Sequence, residues 1–135
     1  MKIEFLSCSA NEGFARVAVA SFLSQLDPMV DELYDVKMAV SEAVTNSIIH
    51  GYKGKEDGVI VISCAYEGKD IEIEIVDQGV GIKDIEKAKE PLYTSLQGEE
   101  RAGLGFTIME SMMNEIDVTS EVGKGTTIKM KKTFY

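Results

Sequence analysis

The ten residues from Glu42 to Gly51, EAVTNSIIHG, decide how this chain is read. Glu42, Asn46 and His50 recur at i, i+4 and i+8, which sets a carboxylate, an amide and an imidazole along one stripe of a helix. Val40, Ala43, Val44, Ser47 and Ile48 are apolar or small and suit the opposite, buried side. Gly51 follows directly and suits the left-handed position just past a helix C-terminus. The stretch thus predicts a helix end with a polar stripe beside an apolar flank. By itself such a stripe fits a solvated face as well as a site, and two glycine-containing stretches downstream decide between them.

Composition narrows the classes. A chain of 135 residues is most simply one domain, 1–135, long enough to bury a proper core. A net charge of −9 argues against a nucleic-acid surface, which needs a basic patch. The same charge means that any bound phosphate needs local help from a metal ion, a helix N-terminus or a few placed cations. No run approaches the ~18 apolar residues of a membrane span. The N-terminal MKIEFLSCSANEG has neither the apolar core nor the cleavage pattern of a signal peptide, so a cytoplasmic protein is expected. Cys8 and Cys64 form no CxxC pair, and one histidine makes no zinc set, so both cysteines read as reduced and structural.

In chain order, Lys2–Leu6 alternates as a short strand. Ser9-Ala-Asn-Glu12 has the form of a capping box opening a helix to about Leu26, with Phe14, Val17, Ala18, Ser21 and Phe22 as its buried face. Arg16 points elsewhere and is a weak candidate for a partner contact. Asp27-Pro28 reads as the N-cap and first residue of a second helix, running to His50. Val59–Tyr66 and Asp70–Val76 predict a hairpin, with Ile71, Ile73 and Ile75 buried and Glu72 and Glu74 wet. A short helix over Asp84–Lys89 is followed by PLYTSLQGEERA, Pro91–Ala102, a lid-like loop. Gly103-Leu-Gly-Phe106 opens a helix over Phe106 to about Asn114, whose row Ile108, Met109, Met112 and Met113 reads as core. A last hairpin pairs Ile116–Glu121 with Thr126–Lys132. Strands, two helices, strands, a lid, a helix and strands predict a two-layer α+β sandwich.

DQGVG, Asp77–Gly81, and GLGF, Gly103–Phe106, are each weak signals. Ordered as helix E-x-x-x-N, strand-DxGxG, lid, GxG-helix and GTT, they are far more specific, and each part suits a nucleotide. A carboxylate at a strand end can accept from an adenine amino group, and glycines let the base approach the backbone. Glycines at a helix start free amides for phosphate. An Asn amide oxygen suits magnesium, which keeps several waters and takes few protein ligands. No G-x-x-x-x-G-K-[ST] occurs, so this is not a P-loop.

At these residues the chain resembles the GHKL superfamily of ATPases and kinases, which includes gyrase, histidine kinases and related chaperones. EAVTNSIIHG looks like its N box, DQGVG and RAGLGF like its two glycine boxes, and GTT, Gly125–Thr127, like its last adenine-site residues. FARVAVASFLSQLDP (Phe14–Pro28) and GFTIMESMM (Gly105–Met113) resemble the anti-sigma, serine-kinase branch of spore-forming bacteria, so the likeness covers nearly the whole chain.

The resemblance implies a Bergerat-type sandwich, a mixed sheet covered by helices, with an ATP lid. It implies Mg2+ at Asn46, Glu42 as general base, and Asp77 on adenine with Gly79 and Gly81 shaping the pocket. It further implies phosphate at Gly103, Leu104 and Gly105, Arg101 at the terminal phosphate or a partner, and Thr127 near adenine. His50 is assigned no chemistry. Relatives commonly carry Thr-Thr-Lys in the lid where this chain has Thr94-Ser95-Leu96, which leaves a lid lysine contact without its residue. The implied partners are a sigma factor, a small anti-anti-sigma substrate and a second copy in a homodimer, with the Lys2–Leu6 edge as a seam. Two alternatives stay open: a nucleotide-dependent sequestering module without phosphotransfer, and the general-stress relative of the same branch. A sensor histidine kinase fits poorly, because it needs a phosphoacceptor histidine on a separate dimerisation helix.

Overall fold

The computed structural model describes residues 1–88 and 98–135, the side chains of 98–104 excepted. Among the described residues, β1 (Lys2–Leu6), β2 (Val59–Glu67), β3 (Asp70–Asp77), β4 (Glu115–Glu121) and β5 (Gly125–Thr133) form one sheet in the order β1-β2-β3-β5-β4. Helices α1 (Ala10–Leu23), α2 (Val30–Asn46), α3 (Ile85–Ala88) and α4 (Gly98–Met112) complete the described elements, with α2 packed between α1 and α4.

Every pairing is antiparallel, which corrects the expected mixed sheet. β3 and β4 run in the same direction, but β5 folds back between them, so the two parallel-related strands never meet. The register aligns Ile3, Ile62, Ile75, Ile128 and Val118 in one row across all five strands. A second row joins Cys64, Ile73, Met130 and Ile116. These rows form the sheet side of the core and meet Val19, Leu23, Val36, Val40, Val44, Phe106 and Met109 from the helices. On the other face Lys129 lies 3.6 Å from Glu72 and 3.9 Å from Glu74, a solvated cross-strand group.

Helix α1 departs from the expected face. It buries Ala15, Val19, Ala20 and Leu23, whereas Phe14 and Val17 are 54% and 59% exposed. The helix is apolar nearly all round, so size decides: the alanines let α1 approach α2 closely, and the bulkier Phe14 and Val17 turn outward. The Ser9 capping box does not form, because Ser9 itself is helical and makes no cap bond. Glu12 accepts instead from Ser41 Oγ on α2 at 2.5 Å and lies 3.8 Å from Arg16.

The start of α2 also moves. Asp27 is left-handed (φ 52°) after a short 3-10 turn, and the helix begins at Val30 with Met29 as N-cap. Glu32 reaches back to accept the Met29 N–H at 2.9 Å. Its second oxygen accepts the Tyr135 N–H at 2.8 Å, which ties the last residue of the chain to the start of α2.

Helix α4 begins at Gly98 rather than Phe106, so Gly103 and Gly105 lie inside a helix instead of at its start. The expected lid divides accordingly: Gly98–Ala102 are helical, and residues 89–97, with Thr94-Ser95-Leu96, lie outside the described residues. Among the described residues no helix is long and apolar enough to cross a membrane.

Candidate functional site

The end of α2 is not a plain α-helix. Ser47–Gly51 forms a π turn, closed by Tyr52 N–H on Ser47 C=O at 2.9 Å. Gly51 is not left-handed as expected. Glycine instead leaves room for the Asp77 carboxylate, since a Cβ would lie 3.0 Å from its Oδ1. Gly79 packs on the other side, where a Cβ would run into the Gly51 carbonyl. Val80 N–H donates to that same carbonyl at 2.9 Å. The α2 end and the loop after β3 are thus stitched backbone to backbone, and the β4–β5 hairpin joins them through Ile82 N–H on Ser120 Oγ at 2.7 Å.

These elements enclose a cavity of about 590 Å³. Asn46, Ser47, His50 and Gly51 line it from α2, Asp77, Val80 and Gly81 from the loop after β3, and Phe106, Thr126 and Ile128 from the far side. Asp77 is buried and accepts from Ser47 Oγ at 2.8 Å and from Gly79 N–H at 3.0 Å. Burial pushes its carboxyl above the ordinary aspartate value, against these bonds and the nearby Thr126 backbone, which favour the ionised form. A buried acceptor beside an open apolar pocket is suited to reading one donor on a flat ligand.

The expected residues divide clearly. Asn46, Asp77 and Gly81 meet at the cavity, and Gly79 orients Asp77 through its amide. Glu42 lies two turns of α2 before His50 and does not line the cavity; its carboxylate sits against α4, where a Cβ on Gly105 would come within 3.3 Å of Oε2. Thr127 pairs with Val76 and Thr119 on the strand positions that alternate with the cavity face; Thr126 is the threonine at the cavity. Gly103 is helical, and the side chains of Arg101 and Leu104 lie outside the described residues. Arg16 is on α1, beside Glu12 and away from the cavity lining.

Sequence reasoning missed Ser47, which reads as a small core residue because the π turn that rotates it inward leaves no periodic signal. It also missed Lys53, Lys83 and Lys87, which line the cavity of an otherwise acidic chain. Asn46 brings an amide oxygen to the cavity, the kind of donor that suits magnesium when the ion keeps several waters and takes few protein ligands.

The fold is shared with two solved kinases. The histidine kinase domain of the Erythrobacter litoralis EL346 blue-light activated histidine kinase superposes with a TM-score of 0.61 at 19% identity, over 91% of this chain and 61% of that one. The mycobacterial sensor histidine kinase MprB gives 0.58 at 19% identity, over 76% and 72%. The family model described as a histidine kinase-like ATPase domain matches residues 9–132, and the chain belongs to that family. Within it, several similar curated proteins carry the name anti-sigma F factor. That of Clostridium acetobutylicum is 60% identical over 99% of this chain and 93% of its own length. That of Clostridium botulinum strain Eklund 17B is 60% identical over 99% and 94%, and that of Clostridium perfringens strain SM101 is 54% identical over 98% and 94%.

Proposed function

We propose that this chain is an ATP-dependent anti-sigma factor that is also a serine-protein kinase. It sequesters a sporulation sigma factor from RNA polymerase and phosphorylates a serine of a small anti-anti-sigma protein that otherwise releases the sigma factor. The observation that carries the reading is the placement along α2: Asn46 at the cavity beside buried Asp77, and Glu42 one turn earlier against Gly105 of α4. The relatives' shared name supports the sigma partner.

In this reading Asp77 accepts the adenine amino group, with Thr126 and Gly81 bounding the base. Asn46 holds Mg2+ together with the phosphates; the ion, when bound, neutralises phosphate charge. Lys53, Lys83 and Lys87 add cations around the same cavity. Within α4 the amides of Gly103 and Gly105 are committed to carbonyls four residues back, so their use for phosphate requires the first turns of α4 to open. Glu42 orients the serine hydroxyl and takes its proton as phosphoryl transfer proceeds, a reaction driven mostly by positioning and electrostatics. Arg101 at the terminal phosphate, Arg16 at a partner, and a homodimer joined at the β1 edge belong to the same proposal; β1 is an edge strand of the sheet.

The test uses γ-labelled ATP, magnesium, this protein and small proteins from its own cell, with Glu42→Gln in parallel. One labelled small protein, lost by about 10²-fold or more in the variant while ATP affinity holds within a few-fold, is the expected result. ATP binding with no labelled protein would replace the kinase with a nucleotide-gated sequestering module.

A further inference from the structure

We infer that Ser47 is the positioning residue that makes Asp77 a selective reader of the ligand's amino group. The inference rests on the adenine reading of the cavity and adds to it a residue of this chain that periodicity assigns to the core.

Ser47 is 2% exposed and its hydroxyl donates to Asp77 Oδ2 at 2.8 Å, a bond between two buried side chains. The π turn brings it there: the turn closes on the Ser47 carbonyl itself, and both Ser47 and Gly51 then face Asp77. A carboxylate has two oxygens and about four lone-pair directions. Gly79 N–H occupies one on Oδ1 and Ser47 one on Oδ2, which leaves lone pairs for a further donor. Asp77 lines the cavity, so a ligand there can supply that donor.

Of these two donors Ser47 is the side chain. The Gly79 amide is fixed by the loop, and by itself it leaves the carboxylate free to pivot about Oδ1. The hydroxyl closes that freedom. It also favours the ionised form against burial, so that Asp77 meets a ligand as a pure acceptor. A neutral carboxyl would present a proton to an amino group, which is also a donor there.

The test compares two triphosphates, ATP and purine riboside triphosphate, which differ only by the amino group. Their affinities are measured by calorimetry on the full chain with Mg2+. The native protein favours ATP, and in Ser47→Ala that preference falls by about tenfold, the value of one hydrogen bond to a charged group, with the purine analogue bound as before. Ser47→Cys, a weak donor of similar size, falls between the two. Thermal unfolding of each variant is recorded alongside. If Ser47→Ala weakens both ligands equally, or neither, Ser47 is only packing and the inference is overturned. If the native protein itself does not distinguish the two triphosphates, the adenine reading of Asp77 fails first, an outcome visible without any variant.

Discussion

Helix α2 meets a buried carboxylate at each end, and the two are wired oppositely. Glu32 and Asp77 are each 5% exposed and each accepts backbone N–H groups. Burial pushes both carboxyls up. At Glu32 the Met29 and Tyr135 amides and the nearby Lys132 and Lys69 outweigh it, and the carboxyl ends below its ordinary value. Asp77 has no such lysine among its influences and ends above. The balance between burial and the surrounding donors and cations, led at Glu32 by its two backbone amides, decides the sign. A clamp between a helix start and the chain end is best served by a fixed charge with fixed partners. A carboxylate that must offer a lone pair to an incoming neutral donor is better without a cation competing for it.

The largest test of that contrast strikes the scaffold under Asp77. Gly79→Ala would drive a methyl group into the Gly51 carbonyl, a backbone atom that cannot step aside. A loss of about 3 kcal/mol or more in unfolding free energy is expected, measured by urea titration, with ATP binding lost as well. A tolerated alanine would mean that the α2 end and the loop after β3 are not one rigid unit.

Next is Asp77→Ala. ATP affinity should fall by about a hundredfold, while unfolding free energy at pH 7 changes by less than about 1 kcal/mol. The stability change is small because the cost of burying the charge leaves with it, and the donors left behind face an open cavity where water can take their bonds. Unchanged ATP affinity would revive the view that DQGVG is only a turn.

The hairpins and the meeting of Asn46 with Asp77 at one cavity were legible in the sequence for a plain reason. Ile71, Ile73 and Ile75 alternate with glutamates, and alternation fixes both strand and face. The Asp77 and Asn46 positions were legible because a short motif ties each to one element. Helix α1 was not, because FARVAVASFL, Phe14–Leu23, offers two apolar stripes and close packing chose one of them. Ser47 and Thr126 were not, because a π turn and a one-residue choice of strand face leave no mark in spacing. The start of α4 is not legible, because glycine at a helix boundary and glycine inside a helix facing a neighbour, as Gly105 faces Glu42, look alike in sequence.

That last point yields a smaller test at the middle of α2, where Glu42 lies against Gly105. A methyl group there meets only Glu42 Oε2, at 3.3 Å, the far end of a flexible side chain. Gly105→Ala should therefore hold or raise stability by up to about 1 kcal/mol through helix propensity, in contrast with Gly79→Ala. Phosphotransfer should drop because Glu42 is displaced. Full activity with a stable helix would separate Glu42 from the reaction.

The smallest effect bears on the sign of the contrast itself. Glu32 has a lowered folded pKa, so its stabilisation is complete above the unfolded value and is lost as pH falls through the folded one. Asp77 has a raised folded pKa, so its ionised form costs stability above that value, and the cost is relieved on acidification. Melting temperatures of Glu32→Gln and Asp77→Ala, each compared with the native chain from pH 7 down through the carboxylate range, should therefore diverge in opposite directions. The Glu32→Gln deficit closes as the pH falls, whereas the native chain gains on Asp77→Ala over the same interval. ATP affinity should weaken in that interval as Asp77 takes up its proton, and Glu32→Gln should leave that affinity profile where it was. Parallel melting profiles for the two variants would mean that the amides and lysines around Glu32 do not set the difference, and the assignment of one carboxylate to holding the fold and the other to reading the ligand would lose its electrostatic basis.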